Sequence, residues 1–155
     1  MEKYFDKLVE NKFFSLSILI FVPLLLYFKS LFYDFSPMDE QWLILNRTQF
    51  LSEWGSIFDS FRQSILELFY RPLLVITFIV NYKISGLSPF GYHFLNLVFH
   101  LINVVLLFLI LLEFNSTRKT AFVFALLFAV HPALIHSVVW IPGRNDSMLG
   151  LFIFS

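Results

Sequence analysis

The stretch PLLVITFIVNY, residues 72 to 82, decides how this chain is arranged, because its length determines whether it crosses a membrane. As a helix, the apolar run between Arg71 and Lys83 extends only about 17 Å. The hydrocarbon core of a bilayer is about 30 Å thick. We therefore predict that this stretch does not span the membrane but forms a half-buried helix lying along its outer surface, with Pro72 at a first helical position.

The composition places the rest of the chain in a membrane as well. The 155 residues are 58% hydrophobic and 14% charged, with 22 Phe, and the mean hydropathy is +0.76. Soluble domains carry roughly 25% charged residues. A net charge of zero without a long basic run argues against nucleic acid as a partner. The lack of Cys excludes disulfides, thiolate chemistry and Cys-based zinc sites.

Residues 13 to 33 are predicted as the first transmembrane helix, since their only charge is Lys29, which can reach the headgroups. The segment has no small-residue cleavage site, so it is expected to be a retained anchor and not a signal peptide. Residues 1 to 12 contain three lysines, which places them in the cytoplasm by the positive-inside rule. Residues 34 to 90 then form an external loop that contains juxtamembrane helices.

Within this external loop, residues 41 to 49 and 57 to 69 show helix-like apolar spacing interrupted by charges. Such a pattern is typical of short helices that lie on a membrane surface.

Residues 91 to 113 are predicted as the second transmembrane helix. His93, Asn96, His100 and Asn103 recur at positions i, i+3, i+7 and i+10, so they share one helix face. That face must meet protein or water and not lipid. The two histidines lie two turns apart, too far to bind one metal without other ligands. We interpret them as packing residues inside a helix bundle.

The C-terminal part continues the alternation of membrane-spanning segments with cytoplasmic and external ones. Residues 114 to 119 contain Arg118 and Lys119, which fits a cytoplasmic link. The remaining predicted segments are a third transmembrane helix at 120 to 138, an external loop at 139 to 146 and the start of a further transmembrane segment at 147 to 155. Nine residues cannot complete a crossing. We therefore expect a truncated, all-α polytopic membrane protein with transmembrane helices and external juxtamembrane helices.

On this topology three polar clusters face the outside: Asp39 with Glu40, Tyr70 with Arg71, and a C-terminal cluster from His131 to Asp146. A membrane enzyme that uses a lipid-linked phosphate donor needs a base for an acceptor hydroxyl and cations for the phosphate leaving group. Asp39 fits the catalytic base, with Glu40 as the alternative. A divalent metal could also bind this pair, so the cofactor is left unknown.

Arg71 and Arg144 are candidates for binding the phosphate, because a guanidinium offers it a bidentate fork. Tyr70, His131 and Asp146 complete the predicted substrate-binding residues. Three of them have structural alternatives: Arg71 can anchor a helix end among headgroups, His131 can precede a kink at the next proline, and Asp146 can pair with Arg144 or cap the next helix. The acidic pair can equally be a solvated turn.

Three segments in order resemble a known family. They are MDEQWLILN at 38 to 46, YRPLLVITFIVNYKISGLSPFGYHFLNLVFHLIN at 70 to 103, and FAVHPALIHSVVWIPGRND at 128 to 146. The set resembles the N-terminal part of transmembrane O-mannosyltransferases that carry tetratricopeptide repeats, and of their bacterial relatives, within the glycosyltransferase-C superfamily. The resemblance implies transfer of a sugar from a polyprenyl-phosphate donor outside the cytoplasm.

The resemblance also implies roles for particular positions. The family's diacidic motif falls on Asp39 and Glu40, and since its usual form is two Asp, the base is expected on Asp39. The Tyr-Arg-Pro-Leu segment from Tyr70 implies a juxtamembrane helix. The His-Pro segment at 131 to 132 and the Gly-Arg-x-Asp segment at 143 to 146 match family signatures. His136 departs from the pattern, because relatives often have Glu there.

The expected function is thus the N-terminal portion of a membrane glycosyltransferase. The expected partners are a lipid-linked sugar donor, a protein or glycan acceptor and membrane lipid, and the expected location is the bacterial plasma (inner) membrane with the active side facing outward. The alternative is a non-catalytic membrane protein, either a transporter fragment or an assembly partner that uses its polar faces for helix association. Transport predicts charges near the middle of the spans, whereas here they gather at one interface.

Overall fold

The computed structural model describes residues 9 to 64 and 69 to 155 of an all-α protein. The helices of this part of the chain are α1 (Lys12–Tyr27), α2 (Asp39–Leu43), α3 (Thr48–Ser52), α4 (Ser56–Asp59), α5 (Pro72–Ser85), α6 (Pro89–Glu113), α7 (Arg118–Ala129), α8 (Ile135–Val139) and α9 (Arg144–Phe154). They belong to two compact units. The first unit comprises the residues up to Lys29 and from Asn96 to Ser155, and the second runs from Ser30 to Leu95.

Two of the described helices are long and apolar enough to cross a membrane. One is α1 with its 3-10 continuation, 21 residues from Lys12 to Phe32, and the other is α6 with 25 residues. By contrast, α5 has 14 residues and reaches about 21 Å, less than the ~30 Å of a hydrocarbon core. The predicted class, a polytopic all-α membrane protein with additional shorter helices, is confirmed.

The core of the first unit lies between α1, the C-terminal half of α6, and α7. Its buried apolar residues are Val9, Leu19, Val104, Phe108, Ala121, Phe122, Ala125 and Ala129. Three alanines recur every fourth residue along α7, and all of them are fully buried. Small side chains on one face let helix backbones approach closely, which is how helices associate without a hydrophobic driving force.

The third predicted span, over residues 120 to 138, is not one continuous helix. Helix α7 ends at Ala129, and His131 is extended with φ −67° and ψ 126°. Pro132 then opens a 3-10 turn, and α8 continues at an angle of 49° to α7. The physical reason is local: proline has no amide hydrogen to donate, and its ring disfavours the helical conformation for the preceding residue. The kink considered at His131–Pro132 is therefore present.

The last helix begins earlier than predicted. The external loop was expected over 139 to 146, but α9 starts at Arg144, after a 3-10 turn over Ile141–Gly143. Asp146 therefore lies in the first turn of α9, where the helix dipole favours a carboxylate. Arg144, the first residue of this helix, is fully buried, although a loop residue of this type was expected to be exposed.

The second unit packs short helices against α5. Leu74, Val75, Phe78 and Ile79 of α5 are buried, and α5 contacts both α3 and α4. The helical patterns predicted at 41 to 49 and 57 to 69 are realised only in part. The first divides between α2, a 3-10 turn and α3, and the described residues of the second are helical only as far as Asp59. Residues 65 to 68 lie outside the described part of the chain.

Candidate functional site

The two adjacent acids of the predicted catalytic bend have different surroundings. Asp39 is the first residue of α2 and is half-buried, whereas Glu40 is only 2% exposed. The Glu40 side chain folds back so that its Oε2 accepts a hydrogen bond of 2.5 Å from the backbone amide of Ser36. Glu40 therefore fixes the shape of the bend. The Asp39 side chain, by contrast, remains partly exposed.

The possibility of a divalent metal at this bend can be compared with the ligands present. Within residues 9 to 64 and 69 to 155, the structure contains no group of three or more His, Cys, Asp or Glu side chains that could hold a metal ion. Ca²⁺ and Mg²⁺ take six or more oxygen ligands, or keep several waters. The Asp39–Glu40 pair offers at most two carboxylates, so a Mg²⁺ ion bound there would take its remaining ligands from water or from a substrate phosphate.

Tyr70 and Arg71 lie immediately before α5 in the second unit. The Tyr70 hydroxyl donates a hydrogen bond of 3.1 Å to the backbone oxygen of Phe61, and the Tyr70 ring is exposed. The guanidinium of Arg71 lies 4.8 Å from the centre of the Phe69 ring, an arrangement that attracts a cation to the ring face. Arg71 is only half-buried. Its position at a helix start agrees with both roles considered for it, phosphate binding and anchoring.

Arg144 lies inside the first unit and not at a surface loop. It is 0% exposed, and its Nε donates a hydrogen bond of 2.7 Å to Oδ1 of Asn96 on α6. Asn96 Nδ2 in turn lies 3.0 Å from the backbone oxygen of Trp140 and 3.3 Å from that of Ile141. One asparagine thus holds both the 3-10 turn and the start of α9. Helical spacing predicted the polar face of α6, but no local pattern indicated that Arg144 is its partner.

Gly143 makes the approach of this turn to α8 possible. A Cβ atom added to Gly143 would lie 2.1 Å from the backbone oxygen of His136, far inside van der Waals contact. The ring of His136 packs edge-on against Trp140, with their centroids 5.6 Å apart, and remains exposed. Both residues of the Gly-Arg segment thus have a packing role. Gly143 lets the turn approach α8, and Arg144 donates a hydrogen bond to Asn96 on α6.

His131 and Asp146 do not join this network in the interactions described. The His131 side chain is exposed, and its Nδ1 accepts a hydrogen bond of 3.2 Å from the amide of Ala133. It thus caps the 3-10 turn that follows. Asp146 is exposed on the first turn of α9. His131 lies at the kink that its structural alternative predicted. Asp146 is the third residue of α9, whose N-cap position is Gly143, so its capping role stays a prediction.

The remaining polar side chains of the α6 face bond mainly to backbone carbonyls. His100 Nε2 donates to the oxygen of Ala129 at 3.0 Å, and Asn103 Nδ2 donates to the oxygen of Ser147 at 2.8 Å. The Ala129 carbonyl is available because α7 ends there and leaves its last carbonyls without helical partners. The prediction that this face meets protein is confirmed for the described residues. His93 is buried in the second unit, edge-on to Tyr33 at 6.4 Å.

The predicted site residues are divided between the two units. Asp39, Glu40, Tyr70 and Arg71 belong to the second unit, and His131, Arg144 and Asp146 to the first. Helices of membrane-spanning length, together with polar side chains that are buried and hydrogen-bonded between helices, define a polytopic integral membrane protein.

Comparison with known proteins then identifies its relatives. The chain is 31% identical to the mouse protein O-mannosyl-transferase TMTC3 over 159 aligned positions, which cover 96% of the chain and 17% of that relative. It is 35% identical to human TMTC1 over 118 positions, covering 70% of the chain and 13% of the relative. It is 31% identical to mouse TMTC4 over 157 positions, covering 85% and 21%. The chain thus spans about a fifth or less of the length of these relatives.

No protein-family profile matches the chain, and no solved structure matches it. The relationship to the three transferases rests on these sequence alignments. The chain is homologous to the N-terminal region of the TMTC protein O-mannosyltransferases, which are membrane glycosyltransferases of the glycosyltransferase-C type.

Proposed function

We propose that this chain forms the N-terminal portion of a membrane glycosyltransferase that moves a sugar from a polyprenyl-phosphate donor to a hydroxyl of a protein or glycan acceptor. The observation that carries the proposal is the 96% coverage of the chain by its match to a protein O-mannosyl-transferase. The match is not confined to hydrophobic segments that any membrane protein could share, because it also takes in the acidic bend.

Asp39 is the proposed catalytic base. As the acceptor oxygen attacks the anomeric carbon of the donor sugar, its proton passes to the Asp39 carboxylate. The bond between that carbon and the phosphate oxygen breaks, and polyprenyl phosphate departs with the electron pair, which inverts the anomeric centre. The half-buried position of Asp39 supports this role. Glu40 is proposed as its positioning neighbour, since the Ser36 amide already engages one of its oxygens.

Arg71 is the proposed ligand of the departing phosphate. Its guanidinium is half-buried, so it combines access to a headgroup with partial desolvation, which strengthens its attraction for an anion. Arg144 is the weaker candidate, because it is fully buried and bonded to Asn96. Tyr70, His131 and Asp146 are proposed as further substrate-binding residues, and all three are exposed.

The proposed topology puts residues 34 to 90 and 139 to 146 on the non-cytoplasmic side, and residues 1 to 12 and 114 to 119 in the cytoplasm. Integral membrane helices are present in the structure. The bacterial plasma membrane is proposed only on the resemblance to bacterial relatives, since the relatives named by the comparisons come from mouse, human and fruit fly.

The alternative is an assembly partner without catalytic activity. The hydrogen bonds from Asn96 and Asn103 to other segments favour it to this extent: they show the polar face of α6 used for helix association. Asn96 and Asn103 are compatible with both functions, so the two functions must be distinguished by substituting the acids of the bend.

The discriminating experiment substitutes the acids of the bend in the full-length protein that contains this chain. Membranes are supplied with a radiolabelled polyprenyl-phosphate mannose and a serine- and threonine-containing peptide. Asp39→Asn is expected to lower transfer at least about 100-fold, the usual effect of removing a general base, without changing membrane insertion. The matched control is Asp34→Asn, an exposed acid in the same loop, which should leave transfer unchanged.

Transfer retained by Asp39→Asn would remove the proposed base. Absence of transfer from the unsubstituted protein, with this donor and with polyprenyl-phosphate glucose, would favour the assembly partner instead.

A further inference from the structure

Helices α1 and α7 begin at the same end of the first unit. The guanidinium of Arg118, the first residue of α7, donates a hydrogen bond to the backbone oxygen of Glu10, two residues before α1. The two helices also pack against each other through the core of this unit. They therefore lie side by side with their N-terminal ends together.

An apolar groove of about 410 Å³ follows these two helices. Phe14 and Ile18 of α1 form one side of it, and five apolar residues of α7 between Phe122 and Val130 form the other. The part on α7 extends over about 12 Å at 1.5 Å per residue. An apolar cavity of ~150 Å³ accepts a benzene-sized guest, so this groove is large enough for part of a hydrocarbon chain.

The rim of this groove is exposed. Phe14, Val123 and Leu127 line it and are all exposed apolar side chains. Helix α1 belongs to a segment of membrane-spanning length, and α7 belongs to the bent pair that is a further candidate span. A large exposed apolar surface marks a site of contact with a membrane or a partner. Within a bilayer, lipid tails are as apolar as these side chains and can fill the groove.

Basic residues lie at the end of the groove where the two helices begin. Lys119 precedes Phe122 by three positions and Val123 by four, so it shares the groove-lining face of α7. Lys12 is the first residue of α1. Both lysines are exposed. Long lysine side chains near the end of a span reach the headgroup layer, so both can meet a lipid headgroup there.

The charges at this end of the unit have a small positive excess. Described residues 10 to 12 and 113 to 119 contain three cations, at positions 12, 118 and 119, and two acids, Glu10 and Glu113. Glu113 ends α6, which does not line the groove. Cationic side chains next to a membrane attract anionic headgroups. An apolar groove with a cationic end thus fits a lipid whose headgroup is negative.

We infer that the groove between α1 and α7 binds an anionic glycerophospholipid, with one acyl chain along the apolar walls and the phosphate at the end marked by Lys12 and Lys119. Helix α1 with its 3-10 continuation is long enough to cross a membrane, and the acidic bend follows its other end. In the proposed topology this lipid therefore lies in the leaflet opposite to the side of Asp39, so it is not the sugar donor. The inference does not depend on the proposed sugar transfer.

The test uses the full-length protein in phosphatidylcholine nanodiscs that contain a trace of one photoreactive lipid. The two probes, a phosphatidylglycerol and a phosphatidylcholine, carry the same diazirine in the same acyl chain and differ only in the headgroup. Labelling of the groove residues, mapped by mass spectrometry, is expected to be roughly fivefold stronger with the phosphatidylglycerol. That ratio corresponds to about 1 kcal/mol, the attraction of one basic residue for an anionic membrane surface.

Another apolar surface of the same unit provides the internal control. Phe152 and Ile153 are exposed on α9 and do not line the groove, so both probes should label them equally. Equal labelling of the groove by the two probes would show ordinary contact with bulk lipid and would overturn the inference. Labelling of the groove by neither probe would show that another helix covers it, which also overturns the inference.

Charge variants test the headgroup contact. The double variant Lys12→Gln with Lys119→Gln should reduce the preference for the phosphatidylglycerol probe to about twofold or less, because it removes both exposed cations. Lys29→Gln is the control, since Lys29 is an exposed lysine in the 3-10 turn at the other end of α1, and it should leave the preference unchanged. A full preference in the double variant would refute the proposed headgroup contact.

A second pair of variants tests the groove itself. Leu127→Trp adds bulk inside the groove and should reduce labelling of the other groove residues by both probes. Phe124→Trp is its matched control, since Phe124 is 56% exposed and Leu127 55% exposed on the same helix, but Phe124 does not line the groove. Groove labelling that is the same in the two variants would show that the acyl chain does not bind there.

Discussion

The Nε atom of Arg144 donates a hydrogen bond of 2.7 Å to Oδ1 of Asn96, a residue 48 positions earlier in the chain. Both side chains are fully buried. An arginine keeps its charge in any protein environment, so it can be buried only where hydrogen bonds replace those of water. Asn96 supplies such a bond and also donates to the carbonyls of Trp140 and Ile141. This amide therefore links the start of α9 and the turn before it to α6.

Substitution of Asn96 tests this relationship. Asn96→Leu is expected to lower the free energy of unfolding by about 2 to 4 kcal/mol, because it removes a bond to a buried charge and leaves two carbonyls without their donor. Unfolding of the purified protein in mild detergent, followed by near-UV circular dichroism, measures the change. The control is Asn46→Leu, an exposed asparagine bonded to Gln41, for which a change within about 0.5 kcal/mol is expected. Similar stabilities of the two variants would contradict the structural role of Asn96.

Two glycines provide a matched pair for the close approach at α8. Gly143→Ala is expected to destabilise by about 2 kcal/mol or more, because its Cβ would meet the His136 backbone oxygen and overpack the turn. Gly55→Ala has nothing within 4 Å of the added atom and a helical φ of −59°. It should be neutral or stabilise by up to about 1 kcal/mol. Thermal unfolding of both variants under one condition measures the difference, and a Gly143→Ala protein as stable as Gly55→Ala would refute the packing argument.

The buried Glu40 is expected to stabilise the acidic bend. Glu40→Ala leaves the Ser36 amide without its acceptor, so a loss of about 1 to 3 kcal/mol is expected. Glu40→Gln keeps an oxygen at the same distance along the side chain and should recover much of this loss. Hydrogen exchange at the Ser36 amide provides the direct measurement. Exchange that is equally slow in the wild type and in Glu40→Ala would show that the bond contributes nothing.

The proposed topology can be tested with single-cysteine variants, because this chain has no Cys of its own that a thiol reagent would label. Phe114→Cys places a thiol at an exposed position just after α6, and Met38→Cys places one at an exposed position in the acidic bend. In oriented membranes, a membrane-impermeant maleimide added from the non-cytoplasmic side is expected to label Met38→Cys only.

Permeabilised membranes are the control and should give labelling of both cysteines. Labelling of Phe114→Cys from the non-cytoplasmic side would place α5 across the bilayer and separate the polar clusters to opposite faces.

Local patterns in the sequence carried much of the architecture. The lengths of the apolar runs predicted three spans and a shorter helix from Pro72. Among the described helices, Lys12–Phe32 and Pro89–Glu113 are long enough to cross a membrane, and the bent pair Arg118–Ala129 and Pro132–Val139 is a third candidate. The proline at 132 indicated a break, since the loss of one amide hydrogen is a property of that residue alone. The polar face of α6 followed from helical periodicity. The apolar segment predicted over 120 to 138 forms two helices that meet at an angle of 49°, and hydropathy alone does not show this because it averages over a short break.

By itself, then, the sequence determined the class of protein, the faces of its helices and the two acids of the bend, because each depends on residues that are near neighbours in the chain. Only the tertiary structure decided that Arg144 is buried and bonded to Asn96, that Glu40 is a fixed acceptor while Asp39 is partly exposed, and that α1 and α7 form an apolar groove. Burial and hydrogen bonding depend on which distant segments meet. The free energy of a polar side chain is determined by those partners, which periodicity along one helix does not specify.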